Sequence, residues 1–149
     1  MEFFLKNETE TIKFGKKIAA ISSLGDILCL KGKLGTGKTT LAKGIIQNLT
    51  NSDKVLSPTY PLMINYNYKN TYIWHFDFYR IKNKHEIWDI GFEEALNEGI
   101  TIIEWPEIIE ETLPKTKISI SLFETENNER KAIVLASNHY LDRLSGKFI

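Results

Sequence analysis

The chain has 149 residues, of which 42% are hydrophobic and 26% are charged, which is ordinary for a soluble globular domain that needs no disulfides or structural metals. Its 19 basic and 19 acidic side chains give a net charge of zero, which argues against a surface that grips RNA or DNA by itself. No apolar run approaches the roughly 20 residues that span a bilayer, and the single cysteine, Cys29, lies in an apolar segment typical of a buried thiol. We therefore expect one domain, residues 1–149, that is cytoplasmic and has no membrane partner.

A helix is the first element that the sequence predicts. Asn7 followed by Glu10 resembles a capping box, and apolar residues then recur on one helical face. Residues 27–30 form a continuous apolar run, as expected of a strand buried on both faces. A glycine-rich loop follows, and a second amphipathic helix comes after it. The apolar positions are Phe14, Ile18 and Ile21 in the first helix and Leu41, Ile45 and Leu49 in the second.

The rest of the chain predicts two hairpins, two short helical regions and one more buried strand. The strands are predicted at 62–68, 71–78, 100–103, 118–123 and 131–135, and the helical regions at 85–97, interrupted near Gly91, and between Pro106 and Pro114. Nothing beyond Ser137 is assigned. A strand-loop-helix core combined with hairpins predicts an α/β fold, a P-loop NTPase-like three-layer sandwich with a central mixed β-sheet.

The loop at residues 32–39 fits Gly-x-x-x-x-Gly-Lys-Thr and predicts nucleotide binding. Glycines let backbone N–H groups converge on phosphate oxygens, and the next helix directs its positive end at the same point. Lys38 can reach the β- and γ-phosphates, and Thr39 offers a hydroxyl to Mg²⁺. The alternative, a glycine-rich turn that only starts a helix, is disfavoured by the strand before it and the helix after it. The residues expected to bind ATP are Gly35, Thr36, Gly37, Lys38, Thr39 and Thr40.

Two predicted strands end in carboxylates, namely Asp77 and Glu104. Ligands bind at the carboxyl ends of strands in open α/β sheets, so both acids are candidates for holding Mg²⁺ or positioning an attacking water. Each acid alone is equally well explained as a solvated group, or as one paired with a local base such as Arg80. Their joint occurrence downstream of the glycine-rich loop favours the catalytic interpretation.

Three further side chains lie in these segments. Thr59 can sense a γ-phosphate as switch threonines do, although by itself it is better explained as a turn residue after Pro58. His75 lies mid-strand among aromatic residues and is interpreted as a structural histidine. Trp105 directly follows Glu104, and we expect it to be partly exposed near the nucleotide.

Four motifs occur together in order: GTGKTT at 35–40, SPTY at 57–60, HFDFYR at 75–80 and IEWPE at 103–107. In this combination the chain resembles the bacterial TsaE (YjeE) family, the ATPase of tRNA threonylcarbamoyladenosine biosynthesis, over roughly residues 9–122. The resemblance implies a Mg²⁺-dependent ATPase that is weak alone and stimulated by its partners TsaB and TsaD. Those partners transfer the threonylcarbamoyl group to tRNA. The ATPase would reset their complex between turnovers and meet tRNA only indirectly.

The resemblance also implies residue roles. Lys38 would neutralise the phosphates, Thr39 and Glu104 would hold Mg²⁺, Asp77 would act near metal and water, and Thr59 would be a switch residue. The residues that would wall the adenine are Glu8, Thr11 and Glu129.

Two other functions are weighed against the ATPase. A small-molecule P-loop kinase usually surrounds the transferred phosphoryl group with several arginines. This chain has only Arg80, Arg130 and Arg143, and one of them lies in a candidate site motif. The other alternative is a nucleotide-dependent binding module with little turnover, in which ATP only shapes an interface.

Overall fold

The computed structural model describes residues 1–146, and in that part of the chain seven strands form one sheet. The strands are β1 (Glu2–Leu5), β2 (Ile27–Lys31), β3 (Met63–Tyr68), β4 (Thr71–Asp77), β5 (Ile100–Glu104), β6 (Ile118–Glu124) and β7 (Arg130–Leu135). The helices are α1 (Glu8–Ile21), α2 (Lys38–Thr50), α3 (His85–Trp88), α4 (Phe92–Asn97) and α5 (Asn138–Leu144), with 3₁₀ turns at Pro106–Ile108 and Glu110–Thr112.

The sheet is mixed, as predicted. Its strand order is β1-β7-β6-β2-β5-β4-β3, and β2 pairs in parallel with both β5 and β6, while β4 pairs in parallel with β5. The outer strands β3, β7 and β1 each pair antiparallel to their neighbours. The carboxyl ends of β2, β5 and β4 therefore meet at one edge of the sheet.

Both faces of the central strands are covered, which gives three layers. Alternate residues of the strands β2 and β5 point to opposite faces, so their nearly unbroken apolar sequences are buried on both sides. One core lies between the sheet and helices α1, α2 and α5. The other lies between the sheet and the short helices α3 and α4 with the 3₁₀ turns. Cys29 belongs to the second core, where burial raises the pKa of its thiol to about 12.

Helices α1 and α2 approach each other closely because glycines lie at their contact. A Cβ at Gly15 would be 2.6 Å from the carbonyl oxygen of Leu41, and one at Gly44 would be 2.5 Å from that of Ile12. The start of α1 is capped as predicted, since the side-chain oxygen of Asn7 accepts a hydrogen bond of 2.9 Å from the N–H of Glu10. This packing places the beginning of α1 beside the glycine-rich loop.

Two elements were missed by the sequence analysis. The first element is the strand β1 and not a helix; it is stabilised by pairing with β7, more than 120 residues away in the chain (Glu2 opposite Ile133, for example). Beyond Ser137 the sequence predicts no element, but Asn138–Leu144 forms α5, which the Ser137 hydroxyl caps and which buries Leu144; residues 147–149 lie outside the described part of the chain. No helix within residues 1–146 has both the length and the apolar character needed to cross a membrane.

Candidate functional site

The parallel strands bring the predicted acidic residues to the glycine-rich loop. Glu104 at the end of β5 is in register with Leu30 of β2 on one side and with Asp77 of β4 on the other. Glu104 and Asp77 are both buried, with 2% and 5% of their surface exposed. The sequence predicts two carboxylates at one sheet edge, and the structure places Asp77 and Glu104 there.

The glycine-rich loop has a backbone conformation that depends on its glycines. Gly32, Gly35 and Gly37 have φ values of 142°, 78° and 101°, a range that favours glycine. The Thr36 hydroxyl donates to the Lys33 carbonyl at 2.8 Å and closes the turn. No side chain caps the start of α2, so its first N–H groups remain available to an anion at the helix terminus.

Lys38 holds its charge in a partly dry environment. Its ammonium donates to the carbonyl oxygens of Gly32 at 2.6 Å and Lys33 at 2.9 Å. Burial lowers the pKa of Lys38, and the nearby carboxylates of Glu104 and Asp77 only partly oppose that effect. A phosphate group beside this ammonium would stabilise its protonated form by adding negative charge nearby. The residues present therefore fit an anionic ligand.

Glu104 uses both of its carboxylate oxygens. Oε1 accepts a hydrogen bond from the Thr39 hydroxyl at 2.7 Å, and Oε2 lies 2.7 Å from Nε2 of His75. Cis ligands of an octahedral Mg²⁺ with bonds of 2.0–2.1 Å are separated by about 2.9 Å. The oxygens of Thr39 and Glu104, now joined by a hydrogen bond, are close enough together to become neighbouring ligands of one such ion.

Asp77 connects the loop that contains Thr59 to the turn after β4. Its Oδ2 accepts from the Thr59 hydroxyl at 3.1 Å, and its Oδ1 accepts from the N–H of Tyr79 at 2.9 Å. The guanidinium of Arg80 donates to the carbonyl oxygens of Thr59 at 2.7 Å and Tyr60 at 2.8 Å. The SPTY and HFDFYR motifs are therefore one hydrogen-bonded unit, and Arg80 binds backbone instead of pairing with Asp77.

Trp105 is half-buried at the mouth of the site, as expected. Its φ of 57° is uncommon for a bulky residue and is a local strain. Its ring lies 4.1 Å from the Lys38 ammonium and 4.8 Å from the ring of Tyr79. The aromatic face therefore helps to hold the lysine charge.

Two adjoining pockets flank the loop and share Gly35, Gly37 and Thr40. The first has a volume of about 290 Å³ and the second about 250 Å³. The first is lined by Leu34, Gly35, Gly37, Lys38, Thr39, Thr40, Thr59, Asp77, Tyr79, Glu104 and Trp105. The second is lined by Asn7, Glu8, Thr11, Gly35, Gly37, Thr40, Asn128 and Arg130. Thr36 is buried within the loop and lines neither of these two pockets, but it lines a third pocket of about 570 Å³ together with Gly32 and Trp105.

The second pocket contains two of the three residues predicted beside adenine. Glu8 and Thr11 line it, whereas Glu129 does not, although its neighbours Asn128 and Arg130 do. Arg130 is one of the pocket residues that the sequence does not predict in the site, as are Asn7, Leu34, Tyr79 and Asn128. The guanidinium of Arg130 donates to the carbonyl oxygens of Gly35 at 3.0 Å and Thr36 at 3.1 Å, and so ties the hairpin to the loop. Nothing in the sequence near Arg130 indicates a contact 94 positions away.

Few side chains of the described residues could act as ligands of a cation at this site. Residues 1–146 contain no group of three or more His, Cys, Asp or Glu side chains arranged to hold a metal ion. A cation here would therefore depend on Thr39, Glu104 and Asp77 together with ligand oxygens and water. That donor set suits Mg²⁺, which prefers oxygen and keeps several waters when it binds with phosphates.

Comparisons with known proteins agree with the resemblance seen in the motifs. The family model described as "Threonylcarbamoyl adenosine biosynthesis protein TsaE" matches residues 5–132. The chain belongs to the TsaE family. It is 39% identical over 141 residues to the tRNA threonylcarbamoyladenosine biosynthesis protein TsaE of Rickettsia typhi, covering 94% of this chain and 98% of that protein.

A second relative and a solved structure support the assignment and the fold, respectively. The Bacillus subtilis protein that carries the same description is 35% identical over 136 residues, with 90% of this chain and 85% of the relative covered. The crystal structure of Bacillus subtilis YdiB matches this fold with a TM-score of 0.81 at 29% identity, covering 99% of this chain and 95% of the other. The predicted α/β fold with a mixed sheet is therefore confirmed.

Proposed function

We propose that the chain is a Mg²⁺-dependent ATPase of tRNA threonylcarbamoyladenosine biosynthesis that acts with TsaB and TsaD. Membership of the TsaE family supports the pathway. The observation that carries the chemistry is the 2.7 Å contact between the Thr39 hydroxyl and the buried Glu104 carboxylate at the end of the glycine-rich loop. The pairing of a loop hydroxyl with a strand-end carboxylate is the oxygen-rich arrangement that a magnesium–nucleotide complex requires.

Each residue of the site would have a role set by its position. The uncapped start of α2 and the Lys38 ammonium would hold the phosphate oxygens, and Thr39 with Glu104 would hold Mg²⁺ directly or through water. Mg²⁺ supplies charge neutralisation and polarisation of the phosphoryl group when bound. Asp77, whose Oδ2 is already bonded to Thr59, would orient water beside that group. Glu8 and Thr11 line the adjoining pocket and would contact the nucleoside.

The arginines argue against a metabolite kinase. Arg80 donates to the backbone of residues 59 and 60, and Arg130 donates to the backbone of residues 35 and 36. Both are occupied in holding loops together, which leaves neither positioned as a free clamp on a transferred phosphoryl group. Hydrolysis by water is thus better supported than transfer to a small molecule.

The role of TsaB and TsaD rests on the family resemblance together with the charge balance. A net charge of zero suits a subunit that binds protein and nucleotide while its partners contact tRNA. We expect weak ATP hydrolysis by the isolated chain and faster hydrolysis when both partners are added.

Phosphate release from ATP tests the proposal, measured with the chain alone, with TsaB and TsaD, and with each partner singly. Glu104→Ala should lower the rate roughly 100-fold or more, because loss of a metal-binding carboxylate costs several kcal/mol in the transition state. Glu111→Ala removes an exposed acid of the second 3₁₀ turn that lines neither pocket and is the matched control. Absence of stimulation, or phosphate appearing on a small metabolite, would reject the proposal. Full tRNA modification without hydrolysis would favour a nucleotide-dependent binding module.

A further inference from the structure

His75 is buried in the middle of β4, yet its ring is bonded to the site. None of its surface is exposed, and Nε2 lies 2.7 Å from Oε2 of Glu104, which is also buried. The Nδ1 atom has no hydrogen-bond partner among the described residues. A buried imidazole needs a hydrogen-bond partner in any case, and here that partner is a buried carboxylate of the candidate site instead of a backbone carbonyl.

The two nitrogens favour one arrangement of the ring proton. Glu104 Oε2 is a carboxylate oxygen and accepts, so Nε2 must carry the proton and donate. A buried donor without a partner is rarer than a buried acceptor without one, so the unpartnered Nδ1 is best left without a proton. A ring that carries its proton on Nε2 satisfies both conditions.

The contact fixes the direction of the Glu104 carboxylate. His75 from β4 binds Oε2, while the Thr39 hydroxyl from α2 binds Oε1 at 2.7 Å. With one oxygen held from each side, the carboxylate group has a defined plane. Partners of this kind, which bind a metal-binding group and not the metal, typically change metal affinity 10- to 100-fold when removed.

We propose that His75 is a positioning residue that orients Glu104 toward a divalent cation shared with Thr39. The proposal rests on the magnesium-dependent function argued above, and it assigns His75 a role in cation affinity instead of in packing alone. The prediction that His75 is a structural histidine is thereby extended, since its ring is both core and support for the site.

Two amide variants separate positioning from packing. The amide nitrogen of His75→Gln is the same number of bonds from Cβ as Nε2, so it can still donate to Glu104. His75→Asn places its amide nitrogen at the level of Nδ1 and cannot reach. Both are neutral and polar, and Ile73→Val, a conservative change two residues earlier in the same strand and core, controls for loosened packing.

The primary readout is Mn²⁺ affinity in the presence of ADP, measured by electron paramagnetic resonance. His75→Asn should bind Mn²⁺ about 10- to 100-fold more weakly, while ADP affinity in EDTA stays at the wild-type value. His75→Gln and Ile73→Val should stay close to wild type in both measurements. The proposal is overturned if His75→Asn keeps wild-type Mn²⁺ affinity, if Gln and Asn lose equally, or if metal-free ADP affinity falls by the same factor.

Nitrogen-15 spectra of the histidine ring in the nucleotide-free protein provide a second test that needs no ligand. The His75 proton should be on Nε2, and its resonance should shift in Glu104→Gln. A proton on Nδ1 alone, which leaves Nε2 unable to donate to Glu104, would overturn the positioning role if Mn²⁺ binding is intact in the wild type. A wild-type protein that binds neither ADP nor Mn²⁺ would instead reject the proposed function, and the positioning role with it.

Discussion

Gly32, the residue that joins β2 to the glycine-rich loop, offers a quantitative test of how the loop is built. A Cβ at this position would lie 2.6 Å from the carbonyl oxygen of Leu122 in β6 and 2.6 Å from the Thr36 hydroxyl. The first atom is backbone and cannot move freely. The second is the group that closes the turn on Lys33, so Gly32→Ala would strain both the sheet and the loop.

Gly35→Ala is the matched control, because it separates backbone conformation from steric conflict. Gly35 also has a positive φ, 78°, but a Cβ there meets nothing within 4 Å. Gly35→Ala should lower the free energy of unfolding only by the strain of the left-handed backbone, about 1–2 kcal/mol. Gly32→Ala should cost at least as much backbone strain, because its φ of 142° lies further from the left-handed well, plus about 1–3 kcal/mol for overpacking. The total of about 2–5 kcal/mol is a large part of the 5–15 kcal/mol that stabilises an ordinary domain.

Urea unfolding followed by circular dichroism measures both variants in the nucleotide-free protein. With a slope of about 1–3 kcal/mol per molar urea, the Gly32→Ala midpoint should fall below that of Gly35→Ala by roughly 1 M. The structure indicates that β6 confines the loop at Gly32. Equal midpoints for the two variants, or a Gly32→Ala protein as stable as wild type, would contradict this.

Three further predictions follow from other contacts. Cys29 should resist alkylation in the folded protein at pH 8; because burial raises its pKa from 9.0 to about 12, the folded state retains the proton. The protonated thiol should stabilise the fold fully below pH 9, and the free energy of unfolding should decline by up to about 1.4 kcal/mol per pH unit as pH rises toward 12. Cys29→Ala should lack this decline, and rapid alkylation of the folded wild type would contradict the burial of the thiol. Gly44→Ala should lower the free energy of unfolding by about 1–3 kcal/mol, because the new methyl group meets the backbone of Ile12 at 2.5 Å; a more stable variant would mean that helix propensity outweighs the clash. Arg130→Lys should weaken ADP binding roughly tenfold in calorimetry, since one ammonium cannot replace a guanidinium that donates to Gly35 and Thr36. Unchanged affinity would show that the hairpin does not contribute to nucleotide binding.

Much of the site could be predicted from the sequence because its signals are local. The spacing of the glycines, Lys38 and Thr39 depends on one turn, and Asp77 and Glu104 each follow an apolar run directly. Parallel strands then bring those two acids together by the rules of sheet geometry. The Asn7 cap of α1 is equally short in range, and the structure confirms it.

Tertiary contacts between distant residues decided the rest. Strand β1 forms because Glu2–Leu5 pairs with β7, and a four-residue segment has no periodicity that predicts this. The hairpin of β6 and β7 brings the side chain of Arg130, and not that of Glu129, to the glycine-rich loop. Glu104 meets His75 only because β4 and β5 are neighbours in a fixed register. The sequence by itself determined which groups are candidates for the chemistry, since turns, caps and strand ends are encoded within a few residues. Only the tertiary structure decided which distant groups orient them, because hydrogen bonds across the sheet depend on strand order and register.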